Sequence, residues 1–269
     1  MLDFNGLTRI KEERPLLHCV SNIVSANDCA NLALAVGASP MMAQALEEMT
    51  EITAISSATV LNTGTPDRER FAVCRICGQA AQAIGQPVIL DPVGVGAGSW
   101  RLKEVTGLLE SFRPSIIRVN LGKAEALCRR KGYEQGVDST VPAAPEKRAA
   151  LANELACRYE TTVLLTGDED VVSDGIDTLV VTGGSLRMAR VTGTGCMLSV
   201  LCGAFAAVES DAFAAAALAS AYWKLCAERA SEATQGRGIG SFRAELMNAA
   251  EQIDAKALEA RGNIRTISG

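Results

Sequence analysis

Residues 191–200 read VTGTGCMLSV. Two glycines flank a threonine, a cysteine follows, and an apolar run begins. The stretch ends a strand-like segment and opens a helix near Met197, so it reads as a strand–turn–helix junction. The first turn of a helix carries unpaired N–H groups and the positive end of the helix dipole. Glycines there let the backbone approach an anion closely. Gly193 and Gly195 therefore frame a cradle for a phosphoryl group. The string lacks the third glycine of a dinucleotide fingerprint, and no Gly-Lys-Ser/Thr follows as in a Walker A loop. A helix cap over a buried cysteine has the same pattern. Cys196 stands in the opening turn, where a thiolate is favoured, and a thiolate can take the proton of a substrate hydroxyl.

Outward from this junction, short apolar runs alternate with longer helical patterns. Strands are expected at 16–20, 59–62, 87–90, 115–119 and 162–165. Helices are expected at 26–36, 67–84, 102–112, 124–131, 146–159, 197–208, 212–230 and 243–258. The alternation implies an α/β fold in three layers, with a mostly parallel central sheet covered by helices on both faces. Thr178–Val181 and Leu186–Val191, joined through Gly183-Gly184, read as an edge hairpin. No linker or repeat divides the chain, and the loop near 136–145 is too short to do so. One domain over residues 1–269 is expected.

The carboxyl end of each expected strand carries small or polar residues: Ser21-Asn22, Asn62-Thr63-Gly64, Asp91-Pro92-Val93-Gly94, Arg118 with Asn120, and Thr166-Gly167-Asp168. Open α/β sheets bind ligands at those ends. A lone aspartate before Pro92 and two glycines suits a Mg²⁺ or polyphosphate neighbourhood, and a capping turn equally. The acids at 168–170 read mostly as a solvated turn. His18 reads as a structural histidine. Met41-Met42 could line an apolar pocket or belong to the core.

Composition narrows the class. Of 269 residues, 48% are hydrophobic and 21% charged, enough for a sizeable core and too apolar for a disordered chain. A net charge of −5 without a basic stripe argues against nucleic acid. Nine cysteines are scattered and odd in number, so a disulfide framework is not expected. The pair Cys74-x-x-Cys77 lies in a helical pattern, with one histidine in the chain, so a zinc site is not expected. Met1 leads into a polar stretch without a basic-plus-apolar pattern, so no signal peptide is expected, and the longest apolar runs fall short of the roughly 18 residues that span a bilayer. A cytoplasmic protein without membrane or nucleic-acid partners is expected.

HCVSNIV (18–24), ANLALAVGASPMM (30–42), LDPVGVGA (90–97), RVN (118–120), LTGDEDVVSDG (165–175), GTGCMLS (193–199) and GSF (240–242) follow one another in a familiar order and spacing. Together they resemble the hydroxyethylthiazole kinase family of the ribokinase-like superfamily, over nearly the whole chain. The resemblance implies a ribokinase-like fold. It implies an ATP- and Mg²⁺-dependent kinase of the primary alcohol of 4-methyl-5-(2-hydroxyethyl)thiazole, in thiamine biosynthesis or salvage. It implies a homotrimer with substrate pockets at subunit interfaces. Carried over by motif, Met42 and Gly193 would contact the thiazole, and Asn22 would lie near that pocket. Arg118, Thr166, Asn120 and Gly195 would bind ATP, and Asp91 would help hold Mg²⁺ through water. Cys196 takes the place of the aspartate base of most ribokinase-like enzymes.

The chain departs from the family where R-G-N-x-x-E is usual, for it reads Arg118-Val119-Asn120-Leu121-Gly122-Lys123. Lysine stands where a glutamate would position the metal, and Glu125 lies two residues on. Smaller departures are Ser21 for threonine, and Ile239 for the proline common before G-S-F. Two alternatives stay open: a related kinase of a pyrimidine or pyridine alcohol, and a catalytically impaired homologue that binds thiazole or nucleotide.

Overall fold

The structure, a computed structural model, describes residues 2–129 and 144–266. Its nine strands are β1 (Leu16–Val20), β2 (Ser39–Met41), β3 (Ala58–Asn62), β4 (Val88–Asp91), β5 (Ile116–Asn120), β6 (Thr162–Thr166), β7 (Asp170–Ser173), β8 (Thr178–Val181) and β9 (Ile264–Thr266). They form one sheet in the order β2-β1-β3-β4-β5-β6-β7-β8-β9. Pairings from β2 through β6 are parallel, and those of β7, β8 and β9 antiparallel.

The strands are apolar on both faces, and the pleat divides their side chains between two cores. Leu17, Cys19, Val60, Ile89, Ile116 and Leu164 point into one. Val20, Leu61, Leu90, Ile117, Val163 and Leu165 point into the other. The first face is covered by α1 (Gly6–Glu13), α2 (Ala26–Val36), α8 (Thr194–Ala206), α9 (Ala212–Ala233), α10 (Ile239–Gln252) and α11 (Ala255–Arg261). The second is covered by α3 (Met49–Ile55), α4 (Arg68–Ala83), α5 (Ser99–Ser111), α6 (Leu121–Arg129) and α7 (Pro145–Tyr159). This is the expected three-layer arrangement. Helices α8 and α9 are apolar nearly all round because the sheet, α2 and α10 enclose them. Phe205 and Tyr222 meet edge to face between them, with ring centroids 6.1 Å apart.

The chain runs outward from β1 to β2 and then returns to β3 on the other side of β1. That reversal makes β1 and β3 the switch point of the sheet, and open sheets of this kind bind ligands outside the carboxyl ends of their strands.

The edge hairpin is β7–β8, not 178–181 with 186–191. Gly183 and Gly184 both adopt the left-handed region, with φ of 99° and 92°, and turn the chain out of the sheet. Leu186–Arg190 is a short 3-10 helix, and Leu186 is 83% exposed. Arg187 pins this turn to the Thr234, Arg237 and Gly238 carbonyls and lies over the Phe242 ring. The alternation of Leu186, Met188 and Ala189 with arginines imitates a strand, but the place beside β8 goes to β9. The helix expected over 243–258 is two helices. Ile253 is extended, and the Asp254 carboxylate caps α11 by accepting from the Ala257 N–H at 2.8 Å. Residues 130–131 of an expected helix, and 136–143 of the expected loop, lie outside the described residues.

All nine cysteines are free. Cys74 and Cys77 sit on the buried side of α4, where burial pushes their thiols up to about 12 and about 11. Among the described residues no helix is long and apolar enough to cross a membrane.

Candidate active site

Strand register places the polar residues. Asn62 and Asp91 are opposite one another at the ends of β3 and β4, and Asn120 is opposite Thr166 on β5 and β6. Counting back from Leu61, Leu90, Val119 and Leu165, which face the second core, Asn62, Asp91, Arg118 and Thr166 all face the first. Helix α8 begins on that face, so its amino end and four strand-end side chains converge.

Helix α8 opens at Thr194, a turn earlier than the apolar run suggests. Gly193 is its N-cap, with φ of +84°, and a Cβ there would stand 2.9 Å from the Ser25 side chain. Cys196 thus lies within the first turn, half-buried against the first core. The Trp223 indole N–H fixes the turn from α9 by donating to the Thr194 carbonyl at 3.1 Å.

A chain of hydrogen bonds leads inward from the cysteine. The Asn22 amide donates to Cys196 Sγ at 3.4 Å and to Asn62 Oδ1 at 2.9 Å. Asn62 in turn donates to Asp91 Oδ2 at 3.1 Å. Ser199, one turn past Gly195, donates to the same oxygen at 3.1 Å. Lys123 Nζ lies 2.8 Å from Asp91 Oδ1, and Arg118 Nη1 3.8 Å from it. Burial by itself would raise the Asp91 pKa. The Lys123 and Arg118 charges, with the Lys123 and Ser199 hydrogen bonds, outweigh it and hold the carboxyl below its usual range.

Arg118 also donates to Thr166 Oγ1 at 2.8 Å, and its guanidinium lies over Gly195. A second guanidinium, that of Arg148 on α7, lies over Gly167. Among the described residues, buried atoms of both, Arg118 Nε and Arg148 Nε and Nη2, have no hydrogen-bond partner, and neither has Thr63 Oγ1. Buried donors without partners are rare in folded proteins and point to a ligand. A cavity of about 390 Å³ opens beside Arg118 and Gly167, lined also by Asn120, Thr166, Thr194 and Gly195 among others. Lys224 ties its rim together, donating to the Asp168 and Gly183 carbonyls and pairing with Asp170. Asp170 is buried, accepting from the Gly167 N–H and the Ser220 hydroxyl, so that acid is not the solvated turn residue expected.

The residues expected to bind ATP, Arg118, Thr166, Asn120 and Gly195, therefore share one cavity. Asn120 has a structural task as well, since its side chain accepts from the Lys123 N–H and caps α6. Asn22, Gly193 and Cys196 cluster at the mouth of α8, beside that cavity. Met42 follows β2, half-buried against the same core as Cys196. His18 is buried between Thr53 Oγ1 and the Ala43 carbonyl, the structural role expected. Sequence reasoning missed Ser199, Arg148 and Lys224, polar residues inside helical patterns whose partners are distant in the chain.

The donor set at Asp91 does not fit a divalent ion held by the protein. An ammonium occupies one carboxylate oxygen, and Asn62 and Ser199 occupy the other. Glu125 does not supply a second carboxylate, because it pairs with Lys147 at 2.7 Å and Arg129 at 3.7 Å. Among the described residues, no group of three or more His, Cys, Asp or Glu could hold a metal.

A model of the hydroxyethylthiazole kinase family matches residues 7–256. A protein of Listeria monocytogenes serovar 1/2a named hydroxyethylthiazole kinase is 40% identical over 98% of both chains. The solved structure of a hydroxyethylthiazole kinase protein from Pyrococcus horikoshii OT3 is 34% identical, covers 98% of each chain and has a TM-score of 0.89. The pyridoxal kinase of Staphylococcus aureus, solved with ADP, is 13% identical. It covers 80% of this chain and 87% of its own, with a TM-score of 0.61, a likeness of fold alone.

Proposed function

The chain belongs to the hydroxyethylthiazole kinase family, and we propose that it transfers the terminal phosphoryl group of ATP to the primary alcohol of 4-methyl-5-(2-hydroxyethyl)thiazole. The product is the thiazole phosphate monoester of thiamine biosynthesis or salvage, and the by-product is ADP. The observation that carries the reading is the convergence at the mouth of α8 of an anion cradle, a cysteine and the Arg118 guanidinium, beside a cavity that reaches Gly167.

Phosphoryl transfer asks a protein mainly for positioning and for stabilisation of negative charge. The N–H groups of the first turn of α8 point toward the transferring group, and Gly195, without a side chain, lets the Arg118 guanidinium lie over that turn. Arg118, held by Thr166 and Asp91, supplies a fixed positive charge over the same turn. Arg148 supplies another at Gly167. The alcohol enters on the side of Met42, Gly193 and Asn22. As its oxygen forms a bond to the γ-phosphorus, the bond from that phosphorus to the β-bridging oxygen breaks and ADP leaves with its electron pair. The hydroxyl proton passes to Cys196 Sγ, acting as thiolate, and the Asn22 amide steadies that sulfur.

Ile23 and Val24, 82% and 61% exposed, follow directly on Asn22. Two large apolar side chains facing solvent beside a binding site support a homotrimer in which a second copy covers them. Free, mostly buried cysteines support a reducing cytoplasm.

The test is ADP release on a panel of ATP with the thiazole, a pyrimidine and a pyridine alcohol. The thiazole should give the highest kcat/KM. A higher value for either other alcohol would overturn the assignment of substrate. The buried Lys123–Asp91 pair favours a second reading, a binding protein without turnover. Thermal stabilisation by the thiazole with no ADP release would establish it.

A further inference from the structure

A buried ion pair lies one side chain away from the phosphoryl cradle, and its cation is a lysine. The Lys123 side chain is 3% exposed and that of Asp91 is fully buried, with 2.8 Å between Nζ and Oδ1. The pair is tied to the phosphoryl cradle through Ser199, whose hydroxyl is within hydrogen-bond reach of both Asp91 Oδ2 and the Gly195 carbonyl. It is tied to the cysteine through Asn62 and Asn22. Arg118 adds a second positive charge 3.8 Å from the same carboxylate oxygen.

The local balance of charge is therefore one carboxylate against two fixed cations. Magnesium is bound by hard oxygen donors, usually one or two carboxylates with water and substrate phosphate. Here the carboxylate at the end of β4, Asp91, is already neutralised, and Glu125 on α6 is held by Lys147. A divalent ion at Asp91 would have to displace a buried ammonium. Removing one partner of a buried ion pair leaves an uncompensated buried charge and is strongly destabilising. A lysine ammonium is itself a compact countercharge for phosphate.

We propose that Lys123 replaces a protein-held divalent ion: its ammonium, fixed on Asp91, is the permanent cation at the base of the cradle. The protein then binds nucleotide without metal, and any divalent ion enters only on the nucleotide's own phosphates. This rests on the nucleotide-binding reading of the site.

Two measurements on the wild-type protein test it. Mn²⁺ is titrated into the nucleotide-free protein and followed by electron paramagnetic resonance. ADP affinity is measured by calorimetry in EDTA and again in Mg²⁺. The free Mn²⁺ signal should be undiminished at equimolar protein, and the two ADP affinities should agree within about threefold. Uptake of one Mn²⁺ per chain without nucleotide, or a larger loss of ADP affinity in EDTA, would overturn the proposal. ADP binding in neither condition would overturn the nucleotide reading, and the proposal with it. A folded Lys123→Glu should gain an Mn²⁺ site and lose ADP affinity in EDTA by about tenfold or more. Lys123→Met, which keeps the apolar stem, should lose ADP affinity by about tenfold in either medium. Unchanged affinity in Lys123→Met would contradict the role given to the ammonium.

Discussion

Replacing Gly195 with alanine separates phosphate binding from folding. A Cβ at this position would lie 2.4 Å and 2.5 Å from the two terminal nitrogens of Arg118 and 2.6 Å from Cζ. Ordinary contacts begin at 3.4 Å, so the guanidinium must withdraw by about 1 Å. It is 12% exposed and held by Thr166 at 2.8 Å, so withdrawal breaks that bond and turns the fork off the cradle. One charge-assisted hydrogen bond is worth about 1.5–3 kcal/mol. If it is lost to the transferring group, kcat/KM falls roughly 10- to 150-fold. Stability responds differently. Alanine in a helix gains about 0.5–1 kcal/mol over glycine, which offsets part of the lost Arg118–Thr166 bond, worth about 1.5–3 kcal/mol. The melting temperature should then fall by about 10 °C at most, and the protein stays folded. The assay is ADP release under varied ATP, paired with thermal melts. A kcat/KM within about threefold of the wild type would refute the placing of Arg118 over the phosphoryl group.

Cys196→Ala should lower kcat by about 10²- to 10⁴-fold, the usual worth of a general base, with little change in melting temperature. Wild-type turnover would remove the thiol from the reaction. Gly78→Ala should destabilise by about 1–3 kcal/mol in urea titration, because its Cβ would stand 2.3 Å from the buried Phe112 ring. A neutral effect would mean that the ring has room to move. Burial holds the His18 pKa below 6.5, outweighing the Ala43 hydrogen bond and the Glu48 charge. As pH falls through 6.5 the unfolded chain takes up a proton that the folded chain refuses. Stability should therefore be full above pH 6.5 and fall below it, by at most about 1.4 kcal/mol per pH unit. Unfolding curves of unchanged midpoint from about pH 7.5 to 5.5 would contradict a buried neutral imidazole.

The parallel half of the sheet was legible because a strand buried on both faces must be apolar throughout. Leu16–Val20 and Thr162–Leu165 announce themselves in that way, and so do the polar residues that end them. Edge strands carry no such mark. Ser39–Met41 is three residues long with a proline at its centre, which an edge tolerates, and Ile264–Thr266 has an arginine in the middle. The alternation at 186–190 misled because periodicity does not register two left-handed glycines just before it. In the site, glycines and strand ends were readable because their chemistry is local. The partner of Lys123 was not, since Asp91 lies 32 residues earlier and only strand register and the start of α6 bring the two together. The partners of Lys224, and the closeness of Arg148 to Gly167, are hidden for the same reason.

The most direct test of the account is the phosphorus-31 spectrum of wild-type protein incubated with ATP and 4-methyl-5-(2-hydroxyethyl)thiazole. A new phosphomonoester resonance, coupled to the methylene protons of the hydroxyethyl arm and growing in step with ADP, is the predicted result. ATP left intact, or hydrolysed to inorganic phosphate with no ester formed, would contradict it.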